Sequence, residues 1–227
     1  MHNINEKFEF LYKLTGMVVD GWTPSLIVTG EGGLGKTHSV LSVVKERGLG
    51  EYQYTVIKGY STARGLYNTL FDNNGKLVIF DDCDSVLEDK VAINILKSAL
   101  DSYDSRKITW SARMNKNDEY PQEFEFTGRI IFISNKSKET IDGAILTRSL
   151  TVDLSMTADE KIDRMEFILN DILPEYPPNV KEDALEYLKS RKSEIQLNLR
   201  SLIITSKLRL AHSDTWKDLA DYMISTK

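Results

Sequence analysis

Gly30, Gly35, Lys36 and Thr37 stand in the spacing G-x-x-x-x-G-K-T, while Gly30, Gly32 and Gly35 also read as G-x-G-x-x-G. Both patterns let backbone amides close on phosphate oxygens, and glycine accepts the left-handed φ angles such a loop needs. They differ in ligand. The first holds a nucleoside triphosphate, with Lys36 reaching the outer phosphates and Thr37 offering its hydroxyl to magnesium. The second holds a dinucleotide and requires a carboxylate about 20 residues further on, at the end of the next strand, to bind ribose hydroxyls. Here that strand ends in Val56, Ile57, Lys58 and Gly59, with no carboxylate placed for the task. The triphosphate reading is retained. Gly30, Glu31, Gly32, Gly33, Leu34, Gly35, Lys36, Thr37 and His38 are the expected contacts to ATP.

Hydrolysis needs more than a phosphate cradle. "LVIFDD", Leu77 to Asp82, is a run of four apolar residues closed by two carboxylates. Asp81 is expected to hold magnesium, directly or through water, together with Thr37, and Asp82 to polarise the attacking water. An aspartate in the second position, where many motor ATPases use glutamate, has a shorter reach. Cys83 next to it reads as a small buried residue. "IIFISN" ends in Asn135, whose amide can bond both a terminal phosphate and the lytic water. Arg148, after "GAILT", is either a salt-bridged surface group or a finger reaching a neighbouring subunit's ATP. Arg200, in "NLRSL", opens a helix from which it can report the nucleotide's state. His2, His38 and His212 are too scattered in sequence to argue for a metal site.

These groups must be delivered by regular elements. "SLIVTG", "YQYTVIKG", "GKLVIFDDCD", "GRIIFISN" and "SLTVDL" read as strands, each followed or preceded by a segment of helical period. Strands alternating with helices indicate a parallel sheet covered on both faces, and the continuous apolar runs fit strands buried on both sides. A helix is expected over residues 4–20 and another over "KETIDGAILTR". After Ser155 no strand is visible, only about four helical segments split by "LPEYPPN". The expected division is an α/β core with its N-terminal helix over 1–155 and an all-α domain over 156–227.

A chain of 227 residues with 41% hydrophobic and 28% charged residues is ordinary for a water-soluble fold. No apolar run approaches the ~20 residues of a membrane span. The N-terminus lacks the charged-then-apolar profile of a secretory signal. With Cys83 as the single cysteine there is no internal disulfide. A cytoplasmic protein is the expectation, the host's cytoplasm if the chain is phage-encoded. The net charge of −5 speaks against indiscriminate nucleic-acid binding but not against a local basic strip.

Together these motifs resemble those of the AAA+ ATPases over nearly the whole chain. Walker A matches residues 30–37 and Walker B residues 77–82, Asn135 is sensor 1-like, Arg148 arginine finger-like and Arg200 sensor 2-like. The resemblance implies a five-stranded parallel sheet in the order 5-1-4-3-2, a helical lid, and a ring or spiral of subunits with ATP between neighbours. Residues 106–135 read as two short strands and a polar loop inserted before the sensor 1 strand, similar to the pre-sensor 1 hairpin of one AAA+ subgroup that includes viral superfamily 3 helicases. Those helicases also end this strand in Ser-Asn, like Ser134-Asn135. They carry an added domain, whereas only a short helix precedes the core here, a size similar to small phage-encoded AAA+ proteins.

In such a ring, the hairpin and the loop after the second strand would face the channel. Arg113 and Lys116 at the tip, with Arg106 and Lys107 before it, could follow a phosphate backbone in a salt-sensitive, sequence-tolerant way. Asp118 and Glu119 beside them oppose this. Tyr60, next to Lys58, could stack on a base or grip a polypeptide. Nucleic acid is the leading expectation and a protein partner the alternative. A small-molecule kinase would need an arginine-rich acceptor lid instead, and a slowly hydrolysing scaffold carries the same site chemistry as a motor.

Overall fold

The computed structural model describes residues 2–101, 105–110, 119–212 and 214–224. It contains two compact units, one of Phe8–Glu31 and Lys36–Leu154, the other of Met1–Lys7, Gly32–Gly35 and Ser155–Lys227. The chain begins with α1 (Ile4–Val19), β1 (Ser25–Thr29), α2 (Lys36–Glu46), β2 (Tyr54–Lys58), α3 (Ala63–Asp72) and β3 (Leu77–Asp81). It continues with α4 (Lys90–Ala99), β4 (Lys107–Thr109), β5 (Glu123–Glu125), β6 (Arg129–Ile133), α5 (Gly143–Leu146) and β7 (Leu150–Asp153).

Five of these strands form one parallel sheet in the order β2-β3-β6-β1-β7. Counting only those five along the chain and starting from the opposite edge, this is the expected order 5-1-4-3-2. Every residue of β1 and β3 is buried, which is why neither strand shows the alternation of a one-sided sheet. Phe80 and Phe132 stack face to face across β3 and β6, with ring centroids 4.7 Å apart. The register sets Lys58 beside Asp81, Asp81 beside Ile133, and Ile133 beside Val28. All five carboxyl ends therefore open on one edge, where parallel sheets bind ligands.

Before β6, the antiparallel pair β4 and β5 forms the expected hairpin, with Ile108 opposite Phe124. Ile108 and Phe124 turn inward, and Phe124 meets Tyr67 of α3 edge-on at 5.2 Å. The tip, with Arg113 and Lys116, lies outside the described residues. At its base Arg106 is engaged internally: its guanidinium donates to the carbonyls of Ala99 (3.1 Å) and Gly128 (2.8 Å) and covers the Phe126 ring. Burial lowers its pKa. Lys107 faces Glu123 at 3.5 Å. Arg106 is thus anchored at the base of the hairpin, and Lys107 pairs across it with Glu123.

The helix expected over "KETIDGAILTR" is interrupted. Ile141 adopts an extended conformation, and the Asp142 side chain caps a fresh start at Ala144, leaving a 3-10 turn at Lys138–Thr140 and the short α5. An internal cap competes with helix continuation, which period alone does not reveal.

The other unit carries α6 (Ala158–Phe167), α7 (Pro178–Ser190), α8 (Leu199–Ala211) and α9 (Trp216–Ile224) around Met165, Leu188, Leu202 and Trp216. Pro177 and Pro178 separate α6 from α7, with Pro178 at the first helical position. Buried Lys181 donates to the carbonyls of Asn170 (3.4 Å) and Ile172 (3.1 Å), satisfying acceptors beyond α6. Thr157 and Glu160 form a reciprocal capping box at the start of α6. Thr157→Ala is expected to lower stability by about 1 kcal/mol. A urea midpoint identical to wild type would show that the box contributes nothing. No described helix is long and apolar enough to cross a membrane.

Candidate nucleotide site

Lys36 and Thr37 open α2, directly after the glycine loop, and face the carboxyl edge of the sheet. Lys36 is buried (4% exposed), and its ammonium donates to the carbonyls of Gly30 (2.6 Å) and Glu31 (2.7 Å) and to Oδ1 of Asn135 (3.0 Å). A buried cation needs such partners, and three acceptors satisfy its three protons. On its other side Asn135 donates through Nδ2 to Asp82 Oδ1 at 2.6 Å. The ammonium and the carboxylate together fix the orientation of the amide. Thr37 Oγ1 donates to Asp81 Oδ1 at 2.7 Å. Five residues named from sequence thus stand together as one triad, Lys36–Asn135–Asp82, and one pair, Thr37–Asp81.

Asp82 has φ +58°, the left-handed region, which few side chains other than Asn and Asp enter. Its N–H donates to the Ile133 carbonyl at 3.0 Å, which locks the bend that turns the carboxylate toward Asn135. Strained backbone of this kind persists where surrounding structure holds it. Ser134, directly after β6, donates to Asp84 Oδ1 at 2.6 Å and braces the same turn. Cys83 is buried, its Sγ 3.4 Å from the Ile57 carbonyl, and burial pushes the thiol up to about 11. It is a packing residue.

Within the loop, Gly33 and Gly35 have φ of +77° and +88°. In the compact unit that contains Gly33, the Leu199 N–H donates to the Gly33 carbonyl at 2.9 Å, and a Cβ on Gly33 would meet the Asn198 side chain at 3.2 Å. Asn198 in turn caps α8 reciprocally with Ser201. The helix carrying Arg200 therefore starts against a loop glycine, a contact no motif announced. Arg200 itself is exposed on the first turn of α8. Leu34 is buried, while Glu31, Gly32 and His38 are exposed.

Lys58 and Tyr60, which the sequence offered to a polymer, diverge. The Lys58 ammonium lies 3.4 Å from Asp81 Oδ2, so it belongs to the edge of the nucleotide site. Tyr60 is 80% exposed. Its loop is tied to the turn after β3: Ser61 N–H donates to Ser85 Oγ (3.1 Å), which donates back to the Ser61 carbonyl (3.0 Å). Arg148 is folded back onto α5, Nη1 donating to the Ala144 carbonyl at 3.0 Å, with Nε buried and lacking a hydrogen-bond partner.

The donor set suits magnesium, which takes one or two protein oxygens and completes its shell with phosphate and water. Thr37 and Asp81 present a hydroxyl and a carboxylate side by side at the mouth of the loop. Among the described residues, no group of three or more His, Cys, Asp or Glu side chains forms a metal-binding cluster.

No family model matches the chain. An uncharacterized 36.7 kDa protein from the nrdC–mobD intergenic region of Enterobacteria phage T4 is 29% identical over 238 residues, covering 96% of this chain and 73% of that protein. Among solved structures, the RuvB Holliday junction branch migration motor of Thermotoga maritima aligns with a TM-score of 0.55 at 12% identity, over 96% of this chain and 67% of its own. NtrX of Brucella abortus in complex with ATP aligns with a TM-score of 0.56 at 14% identity, over 94% of this chain and 53% of its own. Both neighbours are AAA+ ATPases, and this chain has their fold.

Proposed function

We propose, from the AAA+ fold and the groups gathered at its carboxyl edge, that the chain hydrolyses ATP in a ring or spiral of its own copies and directs the energy to nucleic acid. One observation carries the hydrolytic reading: Asn135 joins the buried Lys36 ammonium to the Asp82 carboxylate through 3.0 Å and 2.6 Å bonds. A phosphate-binding cation and a water-polarising carboxylate on either side of one amide support an in-line attack of water on the terminal phosphate.

Each group has a task. Lys36 exchanges carbonyl partners for the outer phosphates. Magnesium, held by Thr37 and Asp81, would neutralise phosphate charge when bound. Asp82 accepts a hydrogen bond from water and Asn135 keeps that water aligned with the terminal phosphate. Arg148 of a neighbouring copy stabilises charge as the bond to the leaving group breaks. Arg200, on the helix that begins against Gly33, reports whether the terminal phosphate is present.

Exposed Tyr60 supports contact with a polymer, and the likeness to a branch migration motor favours DNA. A protein partner is the second reading. It draws on Lys58, which is paired with Asp81 and leaves Tyr60 to act by packing instead of beside a free cation. The test is steady-state ATP hydrolysis against protein concentration, with and without single- and double-stranded DNA. A rate per subunit that rises with concentration and again with DNA is the expected result. A rise with concentration alone would transfer the reading to protein partners. A rate indifferent to both would remove Arg148 as a trans-acting group.

A further inference from the structure

We infer that Lys58 is a tethered counter-cation of Asp81 that magnesium must displace, so that this lysine sets how much metal the nucleotide site requires. The inference rests on the nucleotide reading above. It begins with register: Lys58 and Asp81 are paired residues at the ends of adjacent parallel strands, so their side chains leave the sheet at the same level. The Lys58 ammonium stands 3.4 Å from Asp81 Oδ2, while Thr37 occupies Oδ1. Both oxygens of the carboxylate are engaged, one by a neutral hydroxyl and one by a full positive charge. Among the described residues, this is the ion pair Asp81 makes.

The pair is asymmetric. The Asp81 side chain is 8% exposed and that of Lys58 66%, so the carboxylate is fixed and the ammonium approaches from the solvent side on a flexible stem. A divalent ion ligated by Asp81 would meet that ammonium on the same carboxylate, and two cations there repel one another. Metal binding and the Lys58 contact are therefore linked with opposite sign: each weakens the other by the same factor. With its lysine in solvent, the pair is worth roughly a 2- to 5-fold change in an equilibrium constant.

The linkage reaches the loop that carries Tyr60. Gly59, at φ +85°, follows Lys58 immediately, and its N–H donates to the Asp81 carbonyl at 3.4 Å. Lys58 thus acts through Asp81 as a positioning residue; it is not one that touches the phosphates.

The experiment is calorimetric titration of ADP into the full chain over a series of magnesium concentrations, for wild type, Lys58→Met and Lys58→Arg. The expected result is a magnesium midpoint for tight ADP binding that falls about 2- to 5-fold in K58M and returns toward wild type in K58R. A midpoint unchanged or raised in K58M, with ADP still bound tightly in magnesium, would overturn the role of Lys58 and leave the nucleotide site standing. ADP binding that is absent or insensitive to magnesium in wild type would overturn both. Thermal denaturation of the three proteins without nucleotide separates a folding defect from the metal effect, since K58R restores the midpoint only if charge is the cause.

Discussion

Arg148→Ala is expected to lower ATP turnover by about 10³–10⁵-fold while ATP binding stays within a few-fold of wild type. The size follows from where charge develops: as the terminal phosphoryl group transfers, its oxygens and the leaving oxygen gain negative charge that a guanidinium can meet. The separation of turnover from binding follows from geometry. Arg148 takes no part in the Lys36–Asn135–Asp82 and Thr37–Asp81 contacts, and in its own chain Nη1 rests on Ala144 with Nε unsatisfied. A buried guanidinium nitrogen without an acceptor is costly, so a better acceptor on a neighbouring copy would draw the side chain out. Complementation makes the test specific. Arg148→Ala and Lys36→Ala proteins, each inactive alone, should regain part of the activity when mixed, because one supplies an intact loop and the other the arginine. Normal hydrolysis by Arg148→Ala, or mixtures that stay inactive, would show that the group does not act across subunits.

The candidate site was readable because its motifs are written in short, contiguous strings. The loop at 30–37 and the paired aspartates ending β3 need only the strand-before, helix-after context that apolar runs supply. Asn135 was readable at one remove, since its meaning depends on β6 lying beside β3. The pairing of Lys58 was hidden for the complementary reason. Its neighbours in sequence, Gly59 and Tyr60, suggested a loop contact, whereas its partner Asp81 is reached only through the pairing of β2 with β3. Arg106 shows the same limit: a cation beside a polar loop looks exposed until the hairpin closes and gives it the Ala99 and Gly128 carbonyls. The Asn198–Gly33 contact joins residues 165 positions apart and left no local trace at all. What sequence withholds is mainly the identity of long-range polar partners, because apolar period constrains faces but not which polar groups meet.

Asp82→Asn should reduce kcat by about 10²–10⁴-fold with nucleotide affinity nearly unchanged, the range for loss of a positioned general base. Asparagine is the informative replacement because it changes one thing. Like aspartate it tolerates the left-handed backbone, here φ +58°, so the turn held by the Ile133 carbonyl survives. Its amide oxygen can still accept from Asn135 Nδ2, the 2.6 Å bond that carries Lys36 and the carboxylate as one group. What disappears is the negative charge that would draw a proton from water. Asp82→Ala removes the charge and also places a residue with no local hydrogen bond in the left-handed region, at a further cost of about 1 kcal/mol. The two variants should therefore share the catalytic defect and differ in stability, with the alanine protein unfolding at lower denaturant. If Asp82→Asn keeps a near-wild-type kcat, the water is activated elsewhere and the contact with Asn135 serves only to shape the turn. If both variants lose nucleotide affinity together with turnover, Asp82 acts on binding and the division of labour between the two aspartates is reversed.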